Sequence, residues 1–134
     1  MTVIVCIDDA KGMTFNKRRQ SRDEAIYRDV ISCLGGKRLF AAPMSKILFD
    51  GIGEVNYSDD PLRDCGDEDF CFIEDRALAD CKNKISAMII YKWNKKYPSS
   101  TKLDLIPSEL GLKLRGTFEF KGKSHDKITK EVYR

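Results

Sequence analysis

The side chains in this chain best suited to chemistry are five carboxylates and one run of cations. Asp8, Asp9, Asp23, Glu74 and Asp75 each follow an apolar run or open a helix-like one. In open α/β sheets that edge is where ligands bind, and carboxylates gathered there can hold Mg²⁺ or act as acid and base. The stretch Asn16-Lys17-Arg18-Arg19-Gln20-Ser21-Arg22 sets four cations ahead of a helix start. Free backbone N–H groups and the helix dipole favour an anion there. The plainer expectation is helix capping and solvation for the carboxylates, and a solvated loop with Arg22 paired to Asp23 or Glu24.

Other chemistries are thinly provided for. The single His, His125, follows Gly122-Lys123-Ser124 in an expected turn and has no second His, so multi-His zinc chemistry is excluded. With no second His and no nucleophile expected nearby, its expected role is that of a turn or surface residue. Cys65, Cys71 and Cys81 are spaced neither as a zinc knuckle nor as a redox pair, and no metal site is assigned. Cys6, Cys33 and Cys71 lie in apolar runs and read as core thiols. Tyr91 and Trp93 alternate on a strand, where packing is the default.

The chain has 134 residues, 42% hydrophobic and 34% charged, as expected for a single globular domain over 1–134. No apolar run spans a bilayer, and Met1 to Ile7 has no basic leader before Asp8-Asp9. With an odd cysteine count, reduced thiols and a cytoplasmic location are the expectation. The net charge is only +3, but it is unevenly spread. Residues 59–80 set Arg63 and Arg76 against nine acids, while residues 82–134 carry thirteen basic groups against five acids. Such asymmetry suits a polar cleft or a partner surface.

The elements that must position these groups follow from the pattern. Thr2 to Ile7 is β-branched and continuous, so it reads as a strand buried on both faces. Ala10 to Arg22 reads as a long loop, and Ser21 with Glu24 as a capping box. Ala25, Ile26, Val30, Cys33 and Leu34 give a helical apolar face ended by Gly35-Gly36. Strands are expected at Arg38–Ala42, Phe70–Ile73 and Ala87–Trp93, with short helices at Lys46–Phe49 (capped by Ser45) and Ala77–Cys81. Small strands are expected near Val55–Tyr57 and Leu103–Leu105, and an antiparallel pair at Lys113–Lys121 and Lys127–Tyr133. The predicted core is Val3, Val5, Ile26, Val30, Leu39, Phe72, Ile89, Phe118 and Val132. This is an α/β three-layer sandwich, a mostly parallel central sheet with an antiparallel C-terminal hairpin.

That order resembles dihydrofolate reductase. The first strand running into Asp8-Asp9-Ala10-Lys11-Gly12-Met13 looks like the family's first strand and mobile loop, and Asp23 with Tyr27 like its pterin-gripping acid and aromatic neighbour. Departures fall on the chemistry. Glu74-Asp75 replaces the glycine pair that approaches cofactor pyrophosphate, and two carboxylates there repel phosphate. Ala42-Pro43-Met44-Ser45 keeps a hydroxyl but lacks the phosphate-binding Arg, and Lys17-Arg18-Arg19-Gln20 replaces the loop's Pro-Trp. The resemblance thus implies a pseudoenzyme without NADPH, and the residues themselves add the expectation that it binds a small anion or a protein partner through Asn16, Lys17, Arg18, Arg19, Arg22 and Ser45. The alternatives are an active reductase on a pterin or nucleotide-like substrate, with Asp23 as the acid, and a nucleic-acid-associated protein or metal-dependent nuclease using the basic loop.

Overall fold

The computed structural model describes residues 1–134. Its centre is β1 (Thr2–Ile7), which pairs in parallel with β6 (Phe70–Phe72) on one side and β7 (Ala87–Lys92) on the other. The seven-stranded sheet runs β5-β4-β6-β1-β7-β10-β9, with β4 at Leu39–Ala41, β5 at Asn56–Tyr57, β9 at Leu114–Phe120 and β10 at Ile128–Tyr133. β10 is antiparallel to both β7 and β9, so the C-terminal hairpin forms one edge.

Alternation along β1 and β7 divides the core. Ile4, Ile89 and Tyr91 face one side, where α1 (Glu24–Ser32) and α2 (Lys46–Phe49) supply Ile26, Tyr27, Val30, Leu48 and Phe49. Val3, Val5, Met88 and Ile90 face the other, covered by α3 (Pro61–Asp64) and by irregular segments carrying Leu78, Ile85, Leu103 and Leu105. Both faces are therefore dry, which explains why the central strands are continuously apolar. The second outer layer is mainly loop and 3-10 turn rather than helix.

Several expectations are corrected. Ala10–Arg22 is not all loop: β2 (Gly12–Phe15) and β3 (Arg18–Arg19) form a hairpin, and β8 (Thr101–Lys102) pairs with β2. Asn16 and Lys17 both have positive φ, 50° and 62°, as a two-residue hairpin turn requires. The cap of α1 is Asp23, whose carboxylate accepts from the Ala25 N–H at 3.0 Å, and not Ser21. Ser45 makes no cap bond to α2. The short helix expected at Ala77–Cys81 is a 3-10 segment over Ala79–Lys84, and the small strand lies at 101–102 rather than 103–105. Phe118 is 54% exposed because the edge strand β9 has one face in solvent, and Val132 on β10 is half-buried. The other seven predicted core residues are buried.

Candidate functional site

The C-terminal ends of β1, β6 and β7 open toward the β2–β3 hairpin, where the sequence places most of its candidate groups. The hairpin lies directly against Glu74 and Asp75. Arg19 donates from Nε and Nη2 to the two Glu74 oxygens at 2.6 and 2.8 Å, and from Nη2 to the Met44 carbonyl at 2.6 Å. Ser45 Oγ donates to Glu74 at 2.6 Å, and Thr14 Oγ1 to Asp75 at 2.6 Å. This forked guanidinium–carboxylate pair is charge-assisted and largely withdrawn from water. Beneath it the cleft lined by Cys6, Met13, Gln20, Ser21, Tyr27, Phe72 and Trp93 keeps only about 10 Å³ of free space. Burial pushes the Cys6 thiol and the Tyr27 phenol well up, so both stay neutral.

The remaining carboxylates do not converge with that pair. Asp8 is buried and accepts from the N–H groups of Ala10, Gly12 and Tyr97 and from Gln20 Nε2. It organises the turn into β2, and a Cβ at Gly12 would come within 2.6 Å of both Gln20 and Ser99. Asp9 is exposed. No group of three or more His, Cys, Asp or Glu side chains is arranged to hold a metal ion.

Asp23 is buried too, and it does not line the cleft. Its carboxylate accepts from the N–H groups of Ala25, Lys123 and Ser124, from Ser124 Oγ, and from His125 Nδ1 at 2.9 Å. Gly122 permits this approach, since a Cβ there would sit 2.3 Å from an Asp23 oxygen. His125 is consequently 7% exposed, its ring against Trp93 with centroids 4.8 Å apart, which corrects its expected surface role. Nothing local predicts that contact: about a hundred residues separate the two partners, and sheet closure alone joins them.

Burial pushes the Asp23 carboxyl up, but the Lys123 and Ser124 N–H groups, His125 and Ala25 outweigh it and hold it well below the ordinary range. Asp8 is lowered in the same manner by its N–H donors. A carboxyl depressed on folding stabilises the protein above its unfolded value of about 4, and that stabilisation is lost as pH falls through the folded value. Thermal melting followed from pH 6 downward should therefore show stability falling below about pH 4. Asp23→Asn should melt lower at neutral pH and show a shallower acid decline. An unchanged acid slope would mean that Asp23 is not among the groups responsible.

The basic residues separate. Arg19 and Ser45 are committed to Glu74. Lys17, Arg18 and Arg22 are free of ion pairs, and Glu24 pairs instead with Arg28 and Lys123. Arg18 and Asn16 border an open groove of about 490 Å³ with Phe15, Arg19, Gln20, Tyr97 and Pro98. Lys17 sits at the hairpin tip and Arg22 just before α1, so neither lines that groove. Gln20 donates from Nε2 to Asp8 and to the Pro98 carbonyl, both at 3.1 Å. Its buried Oε1 has no partner. Tyr97 and Pro98 were not legible as site residues, because they reach the basic hairpin only through the β2–β8 pairing and the 94–98 turn.

Comparison with solved structures shows the fold class. Dihydrofolate reductase from Enterococcus faecalis, complexed with NADP(H) and RAB-propyl, superposes with a TM-score of 0.64. The match covers 99% of this chain and 94% of that one at 8% identity. The chain has a dihydrofolate reductase-like fold, with a mostly parallel sheet ended by an antiparallel hairpin. No protein-family profile and no curated protein matches it. No helix is long and apolar enough to cross a membrane.

Proposed function

We propose that this chain is a dihydrofolate reductase-like domain that does not transfer hydride from NADPH and binds a small organic anion on its β2–β3 hairpin. The observation that carries this reading is the contrast between two spaces. The cleft at the strand ends is filled by the Arg19–Glu74–Ser45 contacts, whereas the hairpin groove is open and bordered by an unpaired Arg18. The groove beside Ala42, Pro43 and Met44, where the family resemblance would place cofactor phosphate, is lined by Asp59, Glu74 and Asp75. Its one cation, Arg76, is already held by the Asp60 carboxylate and the Asp59 carbonyl. A pyrophosphate does not fit that donor set.

A nucleoside monophosphate suits the hairpin groove. Phosphate would meet Arg18, and the base would lie against Phe15 or Tyr97. Titration with AMP at low salt should show saturable binding that weakens as salt rises. Replacing Arg18 by Ala should weaken it about fivefold, since an exposed cation contributes at most ~1 kcal/mol. Binding that ignores both the substitution and the salt would overturn the assignment. NADPH saturating the protein at low micromolar concentration, with dihydrofolate turnover, would overturn the loss of hydride transfer.

A further inference from the structure

The geometry points to a Ser–His–Asp relay, formed by Ser21, His125 and Asp23, that transfers small acyl groups from activated esters to water through Ser21. Ser21 Oγ lies 2.8 Å from His125 Nε2, and His125 Nδ1 lies 2.9 Å from Asp23 Oδ2. These are the separations that link nucleophile, base and orienting acid in hydrolases of unrelated folds.

The hydrogen-bond network sets the roles. An ionised Asp23 only accepts, so Nδ1 carries the proton it donates to Asp23, and Nε2 presents its lone pair to the Ser21 hydroxyl. Four further donors fix the Asp23 carboxylate, and the Trp93 ring fixes the plane of the imidazole. Asp23 and His125 are both buried, while Ser21 is only half-buried and stands at the rim of the cleft. The backbone N–H groups of Ser21 and Arg22 donate to no acceptor within the protein. Hydrolases use the N–H of the nucleophile, or of the residue after it, to stabilise the oxyanion. The Arg22 side chain, exposed and unpaired, adds positive charge on the same segment.

In the reaction Ser21 Oγ attacks the ester carbonyl while its proton passes to His125 Nε2. The bond to the leaving alcohol breaks, and that oxygen takes the proton from Nε2. Water then attacks the seryl ester carbonyl while its proton passes to the same nitrogen; the bond from Oγ to the acyl carbon breaks, Ser21 Oγ takes the proton back from Nε2, and the acid is released. The roughly 10 Å³ free beside Ser21 among Met13, Tyr27 and Trp93 holds no more than about one water, so the acyl group sits at the half-buried rim with the leaving group in solvent.

The test uses p-nitrophenyl acetate with the whole chain. The expected result is steady release of p-nitrophenolate above the buffer rate, with acetyl found by mass spectrometry on the peptide bearing Ser21. Ser21→Ala should retain the fold and fall to the rate of a chain without the relay. His125→Gln should fall equally, and the double variant no further, as expected for groups that act as a unit. If His125→Gln unfolds, Ser21→Ala alone decides. Wild-type turnover in Ser21→Ala, or acetyl confined to lysines, overturns the proposal and leaves the three residues as a latch between α1 and the β9–β10 turn. The relay does not depend on the anion reading, because AMP binding has no bearing on where acetyl is found.

Discussion

Replacing Phe72 by Ala should lower the unfolding free energy by about 3–5 kcal/mol. Phe72 ends β6 and is 2% exposed. Its ring meets those of Tyr27 and Phe49 edge-on at 6.0 and 5.2 Å, and the latter two are themselves 5.5 Å apart. Truncation removes one member of a closed aromatic trio, so burial is lost, two edge-to-face contacts disappear and a cavity opens between sheet and helices. Phe118→Ala is the matched control. On the exposed face of β9 it should cost no more than about 0.5 kcal/mol. Urea unfolding of both variants checks the pair, and similar midpoints for the two would contradict the packing described above.

Arg19→Ala should cost about 2–3 kcal/mol and expose the strand-end cleft. The loss is below that of a fully buried ion pair because the Arg19 side chain is 20% exposed, whereas Glu74 at 9% is left with Ser45 alone. Exchanging both partners for apolar residues, Arg19→Met with Glu74→Leu, should return stability to within about 1 kcal/mol of the parent, with Ser45 losing its acceptor. The two variants should differ in reactivity as well. Cys6 lies beneath the pair, and burial keeps its thiol protonated. In Arg19→Ala its alkylation, mapped by mass spectrometry, should become faster, while the double variant stays protected. Equal rates in all three proteins would mean that Arg19 does not close the cleft.

Much of the framework was legible from local pattern. Thr2–Ile7 is β-branched and Ala87–Tyr91 is a run of apolar and aromatic residues, which suits strands buried on both faces. Gly35 and Gly36 take positive φ where α1 has ended, as their type foretells. The β2–β3 hairpin was harder to read, because its turn uses Asn16-Lys17 rather than a glycine pair and its strands are short. Phe118 misled because alternation reveals that a strand has two faces, but not whether both are covered.

By itself the sequence determined the α/β order, the parallel centre with its antiparallel hairpin, and the presence of carboxylates and cations at the strand ends. The tertiary structure decided which of those groups are free. Arg19 and Glu74 are 55 residues apart, and Ser21 and His125 are 104 apart. Residue type states how many donors and acceptors a side chain has, but whether they face water or one another depends on which distant segments the sheet brings into hydrogen-bonding range. Here closure of β10 against β7 carries the 122–125 turn onto the start of α1, and the β2–β8 pairing lays the hairpin over Glu74. A cluster that reads as one basic loop is thereby split into a half-buried, paired Arg19 and an exposed, unpaired Arg18.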